Sequence, residues 1–302
     1  MNYFDINKQK YISKYNNNQL SSKINISFEI FPPNENKNNS FIFWEFINTL
    51  IKFKPKFISV TYKNTNFSYN NNTFNIIKKI KKITNIELVP HLTCINMNND
   101  QLYNIAKKYW DIGIRHIIAL RGDKNFNAKN LQNNNNMIYA SDLVYFLKKI
   151  ANFNISVAAY PEMHPESKNI TEDLNNLKRK IDAGATKAIT QFFFNIETYL
   201  RFRDLCILKG ININIIPGIL PIINLKQLKK FINMTNITIP PHIGNIFRKI
   251  PPQNTNIPKL LGIIITLNMI QKLKSEGVCD FHFYTLNQPD IIHAICLYLD
   301  II

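Results

Sequence analysis

The sequence contains few cysteines, and none of them are paired at close spacing. Four cysteines occur among 302 residues, and they are widely separated: Cys94, Cys206, Cys279 and Cys296. The absence of a CxxC pair argues against a compact zinc site and against a thioredoxin-like motif. Reduced thiols in an intracellular protein are the simplest interpretation, and we predict no bound metal.

Long apolar stretches and glycine-rich ligand loops are also missing. The first twenty residues lack the apolar centre of a signal peptide, and no later stretch approaches the ~18 continuous apolar residues of a membrane span. No dinucleotide-binding GxGxxG, P-loop or nucleophile elbow occurs, which disfavours a Rossmann domain. The sequence therefore predicts a cytoplasmic protein with no membrane partner.

Acidic residues are scarce relative to basic ones. The chain has 20 Asp and Glu against 37 Lys and Arg, a net charge of +17, and such a surface can neutralise nucleic-acid phosphates. Most of the excess is lysine on the outer faces of predicted helices, and the chain is enriched in Lys, Asn and Ile together. We interpret the charge as compositional and predict no nucleic-acid partner. A nucleic-acid-binding protein stays an alternative that rests on charge alone.

Eight short apolar runs are present, with amphipathic segments of helical period between them. This alternation is typical of a parallel sheet with helical crossovers. Eight such units predict an α/β protein with a (β/α)8 TIM barrel, a single domain over residues 23–302 that follows a polar N-terminal lead-in over residues 1–22. The runs cover residues 27–33, 57–62, 87–94, 117–123, 157–166, 189–194, 215–221 and 281–287, and the first strand is expected over residues 24–31.

Eight helices are expected between and after these runs. The segment 171–183 has the clearest signals, with Thr171 as the expected N-cap and Gly184 as the expected terminator. The prolines of residues 238–258 argue against regular structure there. The expected helices cover residues 41–53, 74–83, 100–111, 141–150, 171–183, 196–209, 224–235 and 257–276.

Glu29 is the first candidate for chemistry. It lies in the strand SFEIFPP, whose alternation directs Glu29 and Phe28 to opposite faces. A carboxylic acid in an apolar barrel mouth loses hydration, which raises its affinity for a proton and suits a general acid. A strand-end glutamate paired with a lysine is the equally supported structural interpretation.

Further polar residues follow the later strands. IIALRGD brings a cation, a flexible glycine and a carboxylate to one strand end, at Arg121, Gly122 and Asp123. VAAYPEMHPE adds a group around Tyr160 and His164 that could ligate a metal, but no second histidine lies at helical spacing.

Other polar residues have purely structural interpretations as well. Gln191 and Tyr284 can be explained as core residues. The stripe formed by Asp173, Asn176 and Lys180 can be explained as the solvated face of a helix.

Several ordered segments closely resemble the bacterial flavin-dependent 5,10-methylenetetrahydrofolate reductase family over about residues 20–300. The matching segments include SFEIFPP, KPKFISVTY, PHLTC, GIRHIIALRGD, SVAAYPEMHPE, LKRKIDAGATKAITQFFF, IIPGILPI and GVCDFHFYTLN. The resemblance implies a (β/α)8 barrel that binds FAD noncovalently and is a homo-oligomer. It also implies that NADH is used to reduce methylenetetrahydrofolate to 5-methyltetrahydrofolate for methionine synthesis.

The resemblance also implies roles for individual residues. Glu29 matches the general acid, which protonates N10 of the folate so that its ring opens to an iminium that accepts hydride. Asp123 matches a catalytic carboxylate beside the flavin. Gln191, Gln227, Phe231, Tyr284 and Gln288 fall in the substrate pocket, which receives the two substrates in turn. The flavin-contacting positions correspond to Thr61, Tyr62, His91, Arg121, Gly122, Asp123, Ala140, Tyr160, His164, Asp173, Asn176, Arg179 and Lys180.

Two departures from the family pattern stand out. Lys63 occupies the glycine position after VTY, and Gln288 replaces an arginine after FYTLN. The loss of a cation at position 288 should weaken substrate binding more than chemistry. These changes motivate a further alternative, a barrel that retains flavin but has lost catalysis.

Overall fold

A parallel sheet follows the apolar runs of the sequence. The computed structural model describes residues 23–33, 37–62, 72–95, 97–122, 139–251 and 253–301. Every paired strand is parallel to its neighbours. The strands are β1 (Asn25–Ile30), β2 (Phe57–Val60), β3 (Glu87–Thr93), β4 (His116–Leu120), β5 (Asn154–Ala159), β6 (Lys187–Thr190), β7 (Asn214–Ile216), β8 (Gly218–Ile219) and β9 (Asp280–Tyr284).

The sheet is nearly closed through a strand that a proline divides. Strands β7 and β8 occupy the single predicted run 215–221, with Pro217 between them. β7 pairs with β6, whereas β8 pairs with β9. Proline cannot donate to a ladder, but the Pro217 carbonyl accepts a hydrogen bond from His282 N at 3.0 Å. The predicted single-domain (β/α)8 TIM barrel is therefore confirmed, with one of its eight strands interrupted.

Helices alternate with the strands, and asparagine side chains cap several of them. Asn98, Asn169, Asn195 and Asn224 each accept a hydrogen bond from a backbone amide in the first turn. Asn169, not Thr171 as expected, therefore caps its helix. The helices are α1 (Lys37–Lys52), α2 (Asn72–Ile83), α3 (Asn99–Asp111), α4 (Ala140–Ile150), α5 (Ile170–Asp182), α6 (Ile196–Leu208), α7 (Leu225–Met234), α8 (Pro241–Arg248), α9 (Asn256–Ser275) and α10 (Pro289–Tyr298).

Two helices were not expected from the sequence. Helix α8 lies in the segment 238–258 that was expected to be irregular, and α10 follows the last strand. Both begin at a proline, Pro241 and Pro289. Proline is favourable in the first helical turn, where its missing N–H has no partner to lose. The expectation for residues 238–258 was therefore wrong in its central part.

Apolar side chains fill the barrel and the space between barrel and helices. Inside, Phe57, Val89, Ile118, Ile189 and Ile216 form one buried cluster. Alternate residues of the same strands face outward and pack on the helices, which is the expected consequence of strand alternation. Phe28 belongs to this outer core and is fully buried, on the face opposite Glu29 as predicted. Within the described residues, no helix has the length and apolar character needed to cross a membrane.

Candidate active site

A cavity of about 620 Å³ opens at the carboxyl ends of β2 to β5, against the face of α5. All the described residues that the sequence assigned to the cofactor line it. They are Thr61, Tyr62, His91, Arg121, Gly122, Ala140, Tyr160, His164, Asp173, Asn176, Arg179 and Lys180. The structure therefore brings these residues together, although they come from six separate strand and helix segments. Asp123 and Lys63 lie outside the described residues, and so do the lead-in 1–22 and the asparagine-rich segments 64–71 and 124–138.

The cavity wall passes very close to the backbone at Gly122. This residue has φ +88°, and a Cβ atom there would lie 2.7 Å from Ile95 Cγ2 and 3.1 Å from Thr93 Cβ. Both the positive φ and the lack of space select glycine. These contacts are with the protein's own side chains, and close approach of the Gly122 backbone to a ligand stays a prediction.

A fixed cation lies on the wall next to Gly122. Arg121 forms a bidentate pair with Glu166, with Nη1–Oε2 at 2.6 Å and Nη2–Oε1 at 2.8 Å, and this hydrogen bonding raises the pKa of Arg121. His164 Nδ1 accepts a hydrogen bond from Glu166 N at 3.1 Å. Burial, followed by the charge of Arg121, lowers the pKa of His164. Arg121 is therefore oriented as a permanent positive charge beside a neutral imidazole.

The polar stripe on α5 faces the cavity. Asp173 is buried and accepts a hydrogen bond from Ser167 Oγ at 2.8 Å. Lys180 Nζ donates to the Ala158 carbonyl at 2.9 Å, and burial lowers the pKa of Lys180 to about 8. Asn176 accepts from Arg179 Nη1 at 2.7 Å. These contacts exclude the simpler interpretation of a solvated stripe.

Glu29 lies at the barrel mouth beside this cavity. Its carboxyl Oε2 is 3.5 Å from Nε2 of His91, which lines the cavity. Burial alone raises the pKa of Glu29 from 4.5 to about 8, because removal from water disfavours the carboxylate. Burial likewise lowers the pKa of His91 to about 4. The contact therefore joins two neutral groups at neutral pH, although its atoms are within ion-pair distance.

None of the residues predicted to contact substrate lies on the wall of this cavity. Phe231 packs with Phe192 at a centroid distance of 5.6 Å, and Tyr284 packs with Phe192 at 6.2 Å. Gln191 is half-buried immediately before Phe192, and its side-chain oxygen accepts from Phe192 N. Gln227 lies in the first turn of α7, and Gln288 is the N-cap residue of α10. The structure thus separates a polar cavity from an aromatic cluster.

Tyr284 is held firmly within the aromatic cluster. Its hydroxyl donates to the Thr190 carbonyl at 2.7 Å. A Cβ atom at Gly218 would lie 2.1 Å from the same carbonyl oxygen and 2.5 Å from the tyrosine ring. Glycine at the start of β8 therefore makes room for the tyrosine.

Some cavity residues were not predicted from the sequence. Glu166 and Ser167 follow β5 and orient Arg121 and Asp173, but neither carries a recognisable motif. The PEMHPE segment was a signal for Glu166 only as a possible metal ligand. Within the described ranges, no three His, Cys, Asp or Glu side chains are grouped to hold a metal ion.

The fold and the site define the class: a nearly closed parallel (β/α)8 barrel with a cavity at the carboxyl ends of its strands and a buried glutamic acid at its mouth. The methylenetetrahydrofolate reductase family model matches residues 14–300. The chain is 52% identical over 282 residues to the 5,10-methylenetetrahydrofolate reductase of Buchnera aphidicola subsp. Baizongia pistaciae, covering 93% of both chains. It is 50% identical over 278 residues to the Escherichia coli enzyme of that name, covering 92% of this chain and 91% of the relative. The chain belongs to the methylenetetrahydrofolate reductase family.

A solved structure supports the fold independently. It is an uncharacterized protein from Clostridium thermocellum whose description states that it binds two copies of 5-methyl-5,6,7,8-tetrahydrofolic acid. The TM-score is 0.62 at 16% identity, with 96% of this chain and 98% of that chain covered. At this identity the likeness shows the barrel fold alone.

Proposed function

We propose that this protein reduces 5,10-methylenetetrahydrofolate to 5-methyltetrahydrofolate, using FAD held noncovalently in the cavity and NADH as the electron donor. When bound, the flavin supplies a hydride carrier that is reduced by one substrate and oxidised by the other, which gives ping-pong kinetics. The product would supply methyl groups for methionine synthesis in the cytoplasm. The observation that carries the proposal is a glutamic acid, neutral at neutral pH, in the barrel mouth beside the cavity.

The cavity fits a dinucleotide cofactor. Its volume of about 620 Å³ lies in the range of about 300–1,000 Å³ typical of small-molecule and cofactor sites. Arg121, Arg179 and Lys180 contribute cations to its wall, and cations of this kind bind phosphate groups. Gly122 lets the backbone serve as part of the wall. We infer that the cations hold the pyrophosphate and that the strand ends around His91 receive the flavin ring.

Glu29 would provide the proton of the folate half-reaction. Opening the five-membered ring of the substrate requires protonation of N10, and the resulting N5 iminium is the hydride acceptor. A carboxyl group with a pKa of about 8 is still protonated at neutral pH, so it can act as a general acid. No proton is needed from this group when NADH delivers hydride, so Glu29 serves only one of the two half-reactions.

The aromatic cluster would bind the flat part of each substrate in turn. Phe192, Phe231 and Tyr284 present ring faces and edges next to the mouth, and such surfaces hold heteroaromatic rings. Gln191 adds an amide within this cluster. Gln288 is half-buried, and its backbone N donates to the Thr285 carbonyl at 2.9 Å. We expect it to affect substrate affinity and not hydride transfer.

An anaerobic two-step titration tests the proposal. The purified protein should be yellow, NADH should bleach it, and methylenetetrahydrofolate should then restore the colour with formation of 5-methyltetrahydrofolate. Yellow protein that NADH does not bleach would indicate a barrel that retains flavin without catalysis. Colourless protein with salt-sensitive RNA binding would contradict the proposal and support the charge-based alternative.

Two glutamine variants make the titration specific. Glu29→Gln should bind FAD and be bleached by NADH but should not be reoxidised by the folate. Glu87→Gln, at the opposite end of the barrel, should keep both half-reactions within about twofold of the unsubstituted protein. We also propose a homo-oligomer, as in the family it resembles, which sedimentation equilibrium would test.

A further inference from the structure

Glu29 has an imidazole neighbour whose nearest nitrogen is otherwise unused. His91 Nε2 lies 3.5 Å from Glu29 Oε2, and the two side chains are only 9% and 13% exposed. Among the described residues this nitrogen has no hydrogen-bond partner. A buried polar atom left unpaired is unfavourable, because it has lost its water without gaining a partner. A small rotation of the carboxyl group would pair the two atoms, so the geometry favours a hydrogen bond between them.

The direction of that hydrogen bond follows from the surroundings. Burial keeps the proton on Glu29, with a pKa of about 8, and off His91, with a pKa of about 4. The other titratable groups packed nearby are Tyr284 of β9, whose pKa is raised well above 10, and His282, whose pKa is lowered to about 3. Neither is charged at neutral pH. A protonated carboxyl can donate, and an unprotonated Nε2 can only accept.

We propose that His91 is a positioning residue whose neutral ring accepts a hydrogen bond from the Glu29 carboxylic acid at Nε2, and so keeps the acidic proton in place until folate binds. The role rests on the proposed function, in which Glu29 must stay protonated while NADH reduces the cofactor. His91 suits this role because it lines the cofactor cavity and contacts the acid at the same time. Its ring therefore contacts both the cofactor cavity and the Glu29 carboxyl group.

The first test needs no substitution in the protein that is measured. In protein labelled with ¹⁵N-histidine, His91 should be neutral at pH 7, with the proton on Nδ1 and none on Nε2. The signal is assigned by its absence in His91→Phe. An imidazolium at pH 7, or a ring protonated at Nε2, would overturn the proposal, because neither species can accept a hydrogen bond at that nitrogen.

The second test measures the pKa of Glu29 in His91→Phe, using protein labelled with ¹³C in the glutamate carboxyl groups and assigned against Glu29→Gln. Phenylalanine keeps the site apolar but removes the acceptor. Loss of a hydrogen bond to the neutral acid should lower the pKa of Glu29 by about one unit, a tenfold change in proton affinity. A raised pKa would mean that His91 was a cation. An unchanged pKa would mean that His91 only packs there, and either result contradicts the proposal.

Two further variants serve as controls. His91→Gln restores an acceptor oxygen, so the pKa of Glu29 should lie closer to the unsubstituted value than in His91→Phe. His164→Phe removes an imidazole from the same cavity, but the charged neighbours of His164 are Arg121, Asp173, Glu166 and Lys180, so the pKa of Glu29 should not move. These titrations do not depend on turnover. Failure of the proposed function would show in the anaerobic titration with NADH and folate. Failure of the His91 role would show in the pKa of Glu29 in the His91 variants.

Discussion

The two ends of the barrel carry similar glutamate–histidine pairs with opposite properties. At the mouth, Glu29 Oε2 lies 3.5 Å from His91 Nε2. At the amino end, Glu87 Oε1 lies 3.5 Å from His116 Nδ1. Strand β3 contributes one partner to each pair. Nevertheless, the pKa of Glu29 is raised to about 8, whereas the pKa of Glu87 is lowered below 4.5.

Solvent access and neighbouring charge account for the difference. The Glu87 side chain is 40% exposed and that of Glu29 is 13% exposed. The close contact with His116 is the largest cause of the lowered pKa of Glu87, and the positive charge of Lys187 contributes. Desolvation is the cause of the raised pKa of Glu29. The same residue types at the same separation therefore give a carboxylate at one end and an acid at the other.

The largest difference between the pairs should appear in the chemistry. Glu29→Gln should slow reoxidation of the reduced protein by methylenetetrahydrofolate about 10²–10⁴-fold, the usual contribution of a general acid. The NADH half-reaction should be unaffected, and Glu87→Gln should change neither. Anaerobic stopped-flow absorbance of the two half-reactions measures both rates. An equal loss of both half-reactions in Glu29→Gln would contradict the assignment of Glu29 as the acid.

The next largest difference should appear in stability. Glu29 has a raised folded-state pKa, so its stabilising contribution is complete below its unfolded pKa of about 4.5 and is lost as the pH rises towards 8. Glutamine cannot ionise and avoids this loss. Glu29→Gln should therefore be more stable than the unsubstituted protein at pH 7, by about 3 kcal/mol. Urea unfolding from pH 4 to 9 measures this. The difference in unfolding free energy between Glu29→Gln and the unsubstituted protein should grow between pH 5 and 8 and stay constant above pH 8.

The smallest effect is expected at the amino end, with the opposite sign. Glu87 has a lowered folded-state pKa, so its contribution is present above its unfolded pKa and is lost as the pH falls through the folded value. Because the side chain is well exposed, Glu87→Gln should cost less than about 1 kcal/mol at pH 7. In the same urea-unfolding measurements, the difference in stability between Glu87→Gln and the unsubstituted protein should vanish at acidic pH. A variant that became more stable at pH 7 would contradict the comparison.

Much of the barrel could be predicted from the sequence. The eight apolar runs fall on the observed strands, because strands buried on both sides need continuous Ile, Val and Phe. Helix α8 was missed because the prolines of residues 238–258 argue against regular structure, whereas no helix was expected at α10 after the last strand. The interruption at Pro217 was also missed, because residues 215–221 form one continuous apolar run in the sequence. In the structure the Pro217 carbonyl still accepts a hydrogen bond from His282 N, so the sheet continues past the break.

The candidate site was predictable residue by residue but not in its arrangement. The burial of Glu29 and the raised affinity for a proton follow from the apolar strand around it. The contact with His91 does not, because it depends on two strands separated by an entire β–α unit. Nor did the sequence indicate that Asp173 would be buried and Lys180 half-buried, since α5 carries polar residues on several faces. The separation of the cavity from the aromatic cluster likewise depends on how β6, α7 and β9 meet.

The central claim is that Glu29 is a neutral acid that serves only the folate half-reaction. The most direct measurement is the single-turnover rate at which methylenetetrahydrofolate reoxidises the NADH-reduced protein, followed from pH 6 to 10. The rate should be constant at the lower end and fall as one proton is lost near pH 8, and this dependence should be absent from Glu29→Gln. A rate that rises through pH 8, or the same profile in both proteins, would contradict the account.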